Sequence, residues 1–591
     1  MPAHDGLAGI DQSARHPQSP ARSGGEFFLA PASPTQRRYE ALRAYLADGV
    51  PAAEAAARFG YTPASLLSAV RDFRAGTRDF FVSGKPGPKT APAKDAARER
   101  ILQLRAAGHS IDEIAAALAG EGIPLNRTGI AEVIAAEGLP RIWRRPEAAR
   151  GPVRREIQPR AEICDFAELP AQAETRLAGL LLTIPDLLAL DLPGLVAAAG
   201  YPASPRIPAL SYVLSLLALK LTATRRVSHV YDLAADPGAA LFAGLVALPK
   251  ATALTSYSYR LDHAKQRRFL AALDQASLAA GLATGEALNL DFHAVMHWGQ
   301  DPALDKHYVP RRSQRTRSVL TFFAEDAASH TLLYGNADLS KATQAGEVLA
   351  FADHWRATTG RDPGLLIFDS KVTTQQQLAE LDARGIRFIT LRARSPKLTA
   401  ALHALPATAW KPLTVARAGG KRRRVRVHED PAATLSRYPG PIRQLAVAGL
   451  GHDEPTIIVS NDRDLPAKPV IEHYARRMNI EQRLAEAIRS FGLDALAGAV
   501  PLNVDLDIVL SVLAHTVCAA LRRRLPGYAT ATPDILQRRF LNTGGIILNR
   551  GDEIVVQLDR RTYSPVLRQA DLPPTITVPW WGGRRLRYQY A

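Results

Sequence analysis

The amino-acid sequence predicts a multidomain protein that combines all-α domains with an α/β domain. Its 591 residues exceed what one domain usually holds, and 47% of them are hydrophobic, which is enough for several folded cores. An apolar pattern with helical period occurs twice in the first 150 residues. From residue 286 onward, short apolar runs typical of buried strands alternate with helical stretches. Helical modules are therefore expected first, and a mixed sheet after a helical middle region.

The first helical module is predicted over residues 35–78, after a segment at 1–34 whose Ala, Ser, Pro and Gly content favours a disordered tail. Thr62 and Pro63 provide a cap and a first-turn residue for its third helix. The apolar face expected on that helix consists of Leu66, Val70 and Phe73. Three short helices of this kind favour a helix-turn-helix unit, and a structural three-helix bundle is the alternative.

A second module repeats the pattern over residues 96–143, beyond a linker at 79–95 and with a turn at Gly108. Its expected core positions are Ile101, Leu104, Ile111, Ile114, Leu118, Ile130, Val133 and Ile134. In helix-turn-helix units the last helix enters a major groove of DNA. The candidate base-reading residues on the two last helices are Ser65, Ser68, Arg71, Arg127 and Thr128. The tandem arrangement therefore favours DNA binding.

A basic linker at 144–164 leads into a region at 165–285 that is predicted to be helical. Apolar runs in this region, such as 212–221 and 241–248, indicate core helices or an assembly surface. The sequence assigns no function to it.

Three carboxylates stand where a nuclease active site would need them: Asp291, Asp369 and Glu481. Each Asp ends a short apolar run that predicts a buried strand, where an unpaired carboxylate is costly. Glu481 lies in a stretch with helical spacing. Each residue has an ordinary alternative, a turn or helix cap for the Asp residues and a solvated salt bridge for the Glu. Converging, they would provide oxygen ligands for two divalent cations, the kind of centre that cuts and joins phosphodiesters.

The predicted elements around the two Asp residues run in the order of three strands, a helix, a strand, a helix and a strand. After the strand of Asp291 they are strands at 318–324 and 331–334, a helix at 341–355, the strand of Asp369, a helix at 374–384 and a strand at 387–392. This order resembles the ribonuclease-H-like fold of DDE transposases and retroviral integrases. The resemblance implies a catalytic core, with its first part at 286–395, in which the first and fourth strands are neighbours and their Asp residues face each other.

The interval from Asp369 to Glu481 is 481 − 369 = 112 residues, too long for a direct connection. Residues 396–465 contain alternating runs and a Gly-Gly turn, which predict a β-rich insertion. The second part of the core, at 466–525, would then carry the Glu helix. Residues 526–591 would form a C-terminal region, with short strands at 554–558 and 575–578.

The motif Tyr474-x2-Arg477-x3-Glu481, which follows the predicted insertion, is similar to the signature of bacterial insertion-sequence transposases. That signature continues with a Lys seven residues after the Glu. Here Ile488 occupies the Lys position and Arg489 follows it, so Arg489 is the nearest basic substitute for a DNA phosphate contact.

The resemblance implies a DNA transposase that acts as a homodimer or larger homo-oligomer on the terminal inverted repeats of an insertion sequence and cleaves and joins double-stranded DNA. Asp291, Asp369 and Glu481 would bind two Mg²⁺ or Mn²⁺ ions, and no covalent intermediate between protein and DNA would be needed. Tyr474 and Arg477 would contact phosphates at the transposon end. The tandem N-terminal modules resemble the end-binding domains of such enzymes.

Charge agrees with a nucleic-acid partner. Lys plus Arg total 74 and Asp plus Glu total 57, a net charge of +17, and the isoelectric point is near 10.0. In the insertion, the run Lys421, Arg422 and Arg423 is a candidate DNA contact. A solvated edge strand, on which basic residues deter aggregation, is the alternative.

The two cysteines, Cys164 and Cys518, exclude a four-cysteine zinc site and a secreted disulfide framework, and they favour a reducing cytoplasm. Residues 1–34 lack the apolar core of a signal peptide. The longest apolar stretches, such as 210–219, are expected to be too short to span a bilayer. We therefore expect a cytoplasmic, nucleoid-associated protein without a membrane partner.

Two alternatives to an active transposase stay open: a transposase-derived DNA-binding regulator without catalysis, and a structure-selective nuclease, which would not need the tandem modules.

His293 and His297 would share the face of Asp291 on a continuing strand, either as metal ligands or as hydrogen-bonded residues beside the site. No phosphate-cradling Gly-rich loop of the ATPase type is present in the sequence. The tail around Trp580, with its Arg residues, is either a DNA contact or a packed terminal strand.

Overall fold

The computed structural model describes residues 28, 31, 33–75, 92–123, 125–139, 159–296, 305–309, 314–340, 342–416, 422–450, 454–493 and 501–590. The chain divides into two compact units, Met1–Val153 and Arg154–Ala591. Most of the predicted N-terminal tail (1–34) and of the two predicted linkers (79–95 and 144–164) lies outside the described residues.

Six helices make up the described part of the first unit. They are α1 (Pro34–Leu46), α2 (Ala52–Arg58), α3 (Pro63–Arg74), α4 (Pro92–Ala106), α5 (Ile111–Gly120) and α6 (Arg127–Ala136). Thr62 caps α3 in a reciprocal box with Ser65, and Pro63 occupies the first turn, as predicted. Ser110 and Asn126 cap α5 and α6. These helices begin at the capping residues because first-turn N–H groups have no partner inside a helix.

Each set of three helices encloses a hydrophobic cluster of its own. The predicted core positions of the second set are confirmed, with Ile111 only partly buried, and Gly108 forms the expected turn at a φ of +83°. In the first set, Leu66 and Val70 are buried as predicted. The prediction for Phe73 was wrong: this side chain is 44% exposed, since it lies in the last turn of α3.

The second unit opens with strand β1 (Gln172–Thr175), which interrupts the region predicted to be helical. The helices of this region are α7 (Ile184–Ala189), α8 (Leu192–Ala198), α9 (Ala209–Leu221), α10 (Pro237–Phe242), α11 (Ala251–Ser258) and α12 (His263–Ala279). Every residue of α9 from Ser211 to Leu221 is buried. Of the two alternatives for its apolar run, a core helix is therefore the one observed.

A ten-stranded sheet forms the centre of this unit. Its first six strands in chain order are β2 (Ala287–Met296), β3 (Lys306–Val309), β4 (Gln314–Asp326), β5 (Leu332–Asn336), β6 (Leu365–Phe368) and β7 (Arg387–Leu391). Both β3 and β5 pair with β4, and the order continues β4-β2-β6-β7. Strand β2 is antiparallel to β4 and parallel to β6, which is parallel to β7.

Two helices connect the later strands, α13 (Glu347–Thr359) before β6 and α14 (Gln375–Ala383) before β7. The predicted alternation of strands and helices over this part of the chain is confirmed. Strands β2 and β4 are longer than predicted, and β3 was not predicted.

The predicted insertion contains α15 (Pro396–His403) and the strands β8 (Lys411–Ala416), β9 (Arg422–Ala433), β10 (Ile442–Ala448) and β11 (Thr456–Ser460). Its β-rich character is confirmed. These strands extend the central sheet in the order β7-β11-β10-β9-β8, each antiparallel to its neighbour. Strand β10 and this continuation were not predicted from the sequence. The pairing of β11 with β7 joins segments that are distant in the chain.

Helices α16 (Ala467–Arg477) and α17 (Asn479–Phe491) follow the insertion, and Met478 separates them. Helix α18 (Pro501–Arg524) then packs against α9, α12 and β5. Within α18, the segment Asn503–Arg524 is long and apolar enough to cross a membrane, but 89% of its most apolar stretch is buried inside the protein. The helical segments Ala178–Ala189 and Leu192–Ala198, which meet at a bend of 61°, are together also long and apolar enough. The expectation that every apolar stretch would be too short was therefore wrong.

A second sheet closes the unit, in the order β1-β12-β13-β15-β14. Its C-terminal strands are β12 (Gly545–Asn549), β13 (Glu553–Leu558), β14 (Ile576–Val578) and β15 (Arg584–Tyr590), accompanied by the short helices α19 (Pro533–Leu536) and α20 (Ser564–Arg568). The two strands predicted here are confirmed. Trp581 is fully buried and its indole N–H donates to the Leu241 carbonyl at 2.8 Å, so packing accounts for this part of the tail.

Candidate active site

Asp291 and Asp369 lie next to each other on neighbouring strands. Strands β2 and β6 are parallel, and Leu290 pairs with Phe368, so the residues that follow these two are side by side and on one face of the sheet. Asp291 is still within β2, whereas Asp369 is the first residue after β6. The two carboxylates that the sequence predicts as partners are thus brought together.

The third carboxylate, Glu481, lies in the first turn of α17, and its side chain is 54% exposed. Arg477, the last residue of α16, is 4% exposed and lies between two of the acids. Its Nη1 is 3.5 Å from Asp291 Oδ2, and its Nη2 is 3.8 Å from Glu481 Oε1. The Arg477 guanidinium also lies 5.5 Å from the ring centroid of Tyr474, one helical turn earlier. The buried Arg477 guanidinium therefore links the Tyr-Arg-Glu motif to Asp291.

Short-range hydrogen bonds orient both Asp side chains. The Phe292 N–H donates to Asp291 Oδ1 at 3.0 Å, and the Ser370 hydroxyl donates to Asp369 Oδ1 at 3.1 Å. In the described part of the chain, Nε and Nη1 of Arg477 are buried without a hydrogen-bond acceptor. A buried guanidinium that lacks acceptors is unusual and marks a place where a ligand can supply them.

Burial is the main influence on Asp291 and raises its pKa to about 6; Arg477 opposes this rise, and Glu481 and Asp369 add to it. Burial also raises the pKa of Tyr474 to about 12, again opposed by Arg477. Burial acts to lower the pKa of Arg477, but Tyr474 and the three carboxylates raise it above the ordinary value. Counted by formal charge, the cluster holds three carboxylates and one guanidinium, a net charge of −3 + 1 = −2.

The side chains of this cluster are of the kind that binds a divalent cation, although they are not positioned around a common metal site. Across the described residues, no group of three or more His, Cys, Asp or Glu side chains is placed to hold a metal ion. The donors are nevertheless carboxylate oxygens, which Mg²⁺ and Mn²⁺ prefer, and two negative charges are uncompensated. Asp291, Asp369 and Glu481 are the residues that would hold such an ion.

Ile488, at the position where the insertion-sequence signature has a Lys, packs against the core. Ile488 is half-buried against the main hydrophobic cluster, whereas Arg489 is exposed on α17. His293 lies on the same face of β2 as Asp291, and its backbone carbonyl accepts a hydrogen bond from the Thr321 hydroxyl at 2.8 Å. His297 lies outside the described residues.

Among the candidate base-reading residues Ser68 is half-buried and the other four are exposed, and the two serines have local roles. The Ser65 hydroxyl belongs to the cap of α3, and the Ser68 hydroxyl accepts from Arg71. The Arg71 side chain is 78% exposed, beside Asp72, and the Arg127 side chain is 70% exposed and pairs with Asp112. Thr128 is exposed.

The candidate DNA contacts of the insertion point in different directions. Arg422 is exposed on β9. Arg423 points to the other face of the strand, where its Nη1 donates to the Leu450 carbonyl at 2.9 Å. Lys421 lies outside the described residues.

Two side chains that hold the C-terminal end of α17 were not predicted from the sequence. Lys220, from α9, donates to the Phe491 carbonyl at 2.8 Å, and the Gln537 side-chain amide donates to the Ser490 carbonyl at 2.8 Å. Both side chains are buried. No local pattern reveals these contacts because Lys220 and Phe491 are 271 residues apart in the chain.

The fold and the site define a mixed α/β protein with a three-carboxylate cluster on its central sheet. No known family model matches the chain, and no curated protein sequence matches it. The function proposed for the cluster is therefore argued from its geometry.

Asp291→Asn should stabilise the protein at pH 8 in metal-free buffer. An Asp whose folded pKa is raised binds its proton more tightly in the folded state, so the wild-type protein loses stability as pH rises from 3.8 through about 6. A difference of one in pKa corresponds to about 1.4 kcal/mol, so the neutral variant should gain about 3 kcal/mol at pH 8. Urea unfolding at pH 4 and pH 8 measures this, and an equal gain at both pH values would contradict it.

Ile488→Lys should lower the free energy of unfolding by about 2–3 kcal/mol, because the ammonium group would enter the hydrophobic cluster that Ile488 contacts. Arg489→Gln should leave stability nearly unchanged, since Arg489 is exposed. If Arg489 replaces the family's Lys, this variant should weaken DNA cleavage several-fold. Thermal melts and cleavage rates, measured on both variants, separate the two roles, and wild-type cleavage by Arg489→Gln would show that Arg489 is not the substitute.

Proposed function

We propose that this protein is a DDE-type DNA transposase of an insertion sequence, which cleaves and joins double-stranded DNA at the terminal inverted repeats of its element. The observation that carries the proposal is the placement of three carboxylates: Asp291 and Asp369 lie side by side on neighbouring parallel strands, and the buried Arg477 guanidinium lies between Asp291 and Glu481. Like-charged groups held together in this way are typical of functional sites.

The sheet order supports a ribonuclease-H-like core. Counted along the chain without the short β3, the strands β2, β4, β5, β6 and β7 lie in the spatial order 3-2-1-4-5, with the first three antiparallel and the last two parallel to the first. The added strands β8 to β11 stand between this core and the Glu481 helix, where the insertion-sequence enzymes that the motif resembles carry their β insertion.

The chemistry of the site follows from its residues. When bound, two Mg²⁺ or Mn²⁺ ions would activate the attacking oxygen and stabilise the leaving oxygen of a phosphodiester. Asp291 and Asp369 would hold them from the sheet, oriented by the Phe292 amide and the Ser370 hydroxyl. Arg477, whose Nε and Nη1 lack acceptors among the described residues, would donate to a DNA phosphate, and the Tyr474 ring would keep its guanidinium in place.

The first unit supports specific DNA binding. Its two three-helix sets have separate cores, and Arg71 and Arg127 are exposed on the last helix of each. We propose that these sets are helix-turn-helix units that recognise the terminal repeats, and that the protein acts as a homo-oligomer in the bacterial cytoplasm.

A fragment of residues 35–150 should bind the terminal repeat specifically and with strong salt dependence. If it neutralises about six phosphates, the slope of log affinity against log salt should be roughly −5. Fluorescence anisotropy against a scrambled duplex provides the comparison. Equal affinity for both duplexes would reduce the two units to structural bundles.

The full-length protein tests the proposal directly. The substrate is a duplex made from the DNA that flanks the coding sequence, which should contain inverted repeats bounded by short target duplications. With Mg²⁺ or Mn²⁺ the protein should cut at the repeat ends, and with a chelator it should not. Specific binding without cleavage under any metal condition would contradict the enzymatic role.

Two observations favour a second candidate, a transposase-derived regulator that binds DNA without cutting it. Among the described residues the three carboxylates do not form an assembled ligand group, and Ile488 stands where the family carries Lys. The same cleavage assay separates the two candidates, since a regulator would bind the repeat and leave it intact.

A further inference from the structure

Three arginines form a row on the exposed side of β9. Arg422, Arg424 and Arg426 alternate with Arg423, Val425 and Val427, and the three row members are exposed whereas the two valines are buried. Alternation places Arg422, Arg424 and Arg426 on one face of the strand. At about 3.4 Å per residue, their Cα atoms span roughly 13 Å. We call these three residues the arginine row.

The side chains of the arginine row stand beside uncharged residues of the two neighbouring strands. The residues paired with its members on β8 are Ala416, Thr414 and Pro412, and Ala448 lies opposite Arg426 on β10. None of these four carries a charge, so the row makes no cross-strand ion pair with them. Basic residues often protect edge strands from aggregation, but β9 is an interior strand and β8 forms the edge. Both structural explanations for the row therefore fail.

The arginine row faces away from the carboxylates. Val425 and Val427 belong to the hydrophobic cluster that also contains Ile367, the residue two places before Asp369, and Tyr474 packs against the same cluster. Asp369 therefore shares its face of the sheet with the valines, and the arginine row lies on the opposite face. On that opposite face α15 covers β10 and β11 through Leu402, and leaves the row exposed.

We propose that the arginine row binds the phosphate backbone of a duplex DNA segment other than the one cut at the carboxylates. One strand of duplex DNA presents a phosphate every 3.4 Å or so along its axis, so a row of roughly 13 Å follows about four phosphates. Guanidinium groups suit phosphate oxygens, and phosphates carry no sequence information, so a contact with the backbone alone is independent of sequence. The identification of the polyanion as duplex DNA rests on the proposed function, whereas the position of the row does not.

The test measures how the full-length protein binds a random-sequence duplex of about 30 base pairs between about 50 and about 200 mM salt. Arg422→Gln/Arg424→Gln/Arg426→Gln should reduce the slope of log affinity against log salt by about 2.7, which is 0.9 for each lost phosphate contact. Over that fourfold range of salt, the wild-type protein should lose roughly 40 times more affinity than this variant. The matched control is Arg538→Gln/Arg550→Gln/Arg560→Gln, which removes the same charge from three exposed positions elsewhere.

An equal loss of slope in both triple variants would overturn the proposal, because it would reflect net charge alone. Preference of the row for single-stranded RNA or for vesicles of anionic lipid over the duplex would also overturn it. Cleavage at the repeat ends is measured in parallel on the wild-type protein. If the slope falls in the Arg422/Arg424/Arg426 variant but the wild-type protein does not cleave, DNA binding by the arginine row is supported and the transposase function is contradicted. If the wild-type protein cleaves but the slope of the variant is unchanged, the transposase function is supported and DNA binding by the row is contradicted.

Discussion

Asp369→Asn should reduce metal-dependent DNA cleavage by about 1000-fold or more, and Glu481→Gln should do the same. Each variant replaces a carboxylate by an amide of the same shape, so the site loses a charged oxygen ligand but little packing. Metal-ion catalysis contributes several kcal/mol to such reactions, and each 1.4 kcal/mol or so is tenfold in rate. Affinity for the terminal repeat should stay within about twofold, because that affinity is expected from the first unit and from phosphate contacts.

The matched control for these variants is Asp353→Asn. Asp353 is an exposed carboxylate of α13, where it pairs with Arg384, and its loss should leave cleavage unchanged. Cleavage rates are measured with Mg²⁺ and with Mn²⁺, beside a gel-shift assay on the same preparations. Robust cleavage by Asp369→Asn would remove Asp369 from the site, and loss of repeat binding would show that the substitution damages the fold.

Lys220→Met should lower the free energy of unfolding by about 3–5 kcal/mol, the usual cost of breaking a buried ion pair. Lys220 Nζ lies 2.6 Å from Asp507 Oδ1 and donates to the Phe491 carbonyl, and both charged side chains are mostly buried. Removing the ammonium leaves the Asp507 carboxylate without its cation and takes the Lys220 donor from the Phe491 carbonyl at the end of the Glu481 helix. Cleavage should also fall, because α17 then holds Glu481 less firmly.

The double variant Lys220→Met/Asp507→Asn should recover roughly half of the lost stability, since it removes the charge that the single variant leaves unpaired. Lys265→Met is the control, because Lys265 pairs with the exposed Asp262 and such pairs contribute about 0–1 kcal/mol. Urea unfolding provides the free energies. Equal stability of Lys220→Met and Lys265→Met would show that the buried pair does not hold α17.

Local chemistry explains why parts of the fold were predicted well. Thr62 and Pro63 start α3 where expected because a cap and a first-turn proline act within four residues of each other. The strands of Asp291 and Asp369 were predicted because a short apolar run is itself the signal. The prediction that Phe73 is buried was wrong because its place in the last turn of α3, not its hydrophobicity, decides its exposure.

In the candidate site, too, the residues are visible in the sequence but the directions of their side chains are not. The Tyr474, Arg477 and Glu481 spacing is visible in the sequence, but the direction of Arg477 is not, and the structure turns its guanidinium toward Asp291 instead of toward solvent. Likewise, the basic run of β9 is plain in the sequence, yet which arginines are exposed depends on which valines enter the hydrophobic cluster.

By itself, the sequence determined the start of α3, the alternation of strands and helices from β2 to β7, and the identity and order of the three carboxylates, because capping, periodicity and spacing are properties of neighbouring residues. Only the tertiary structure decided that β11 continues the sheet from β7 and that Lys220 reaches the end of α17. These contacts join segments that are distant in the chain, and their free energy depends on which partners exclude water together, a property that no single segment carries.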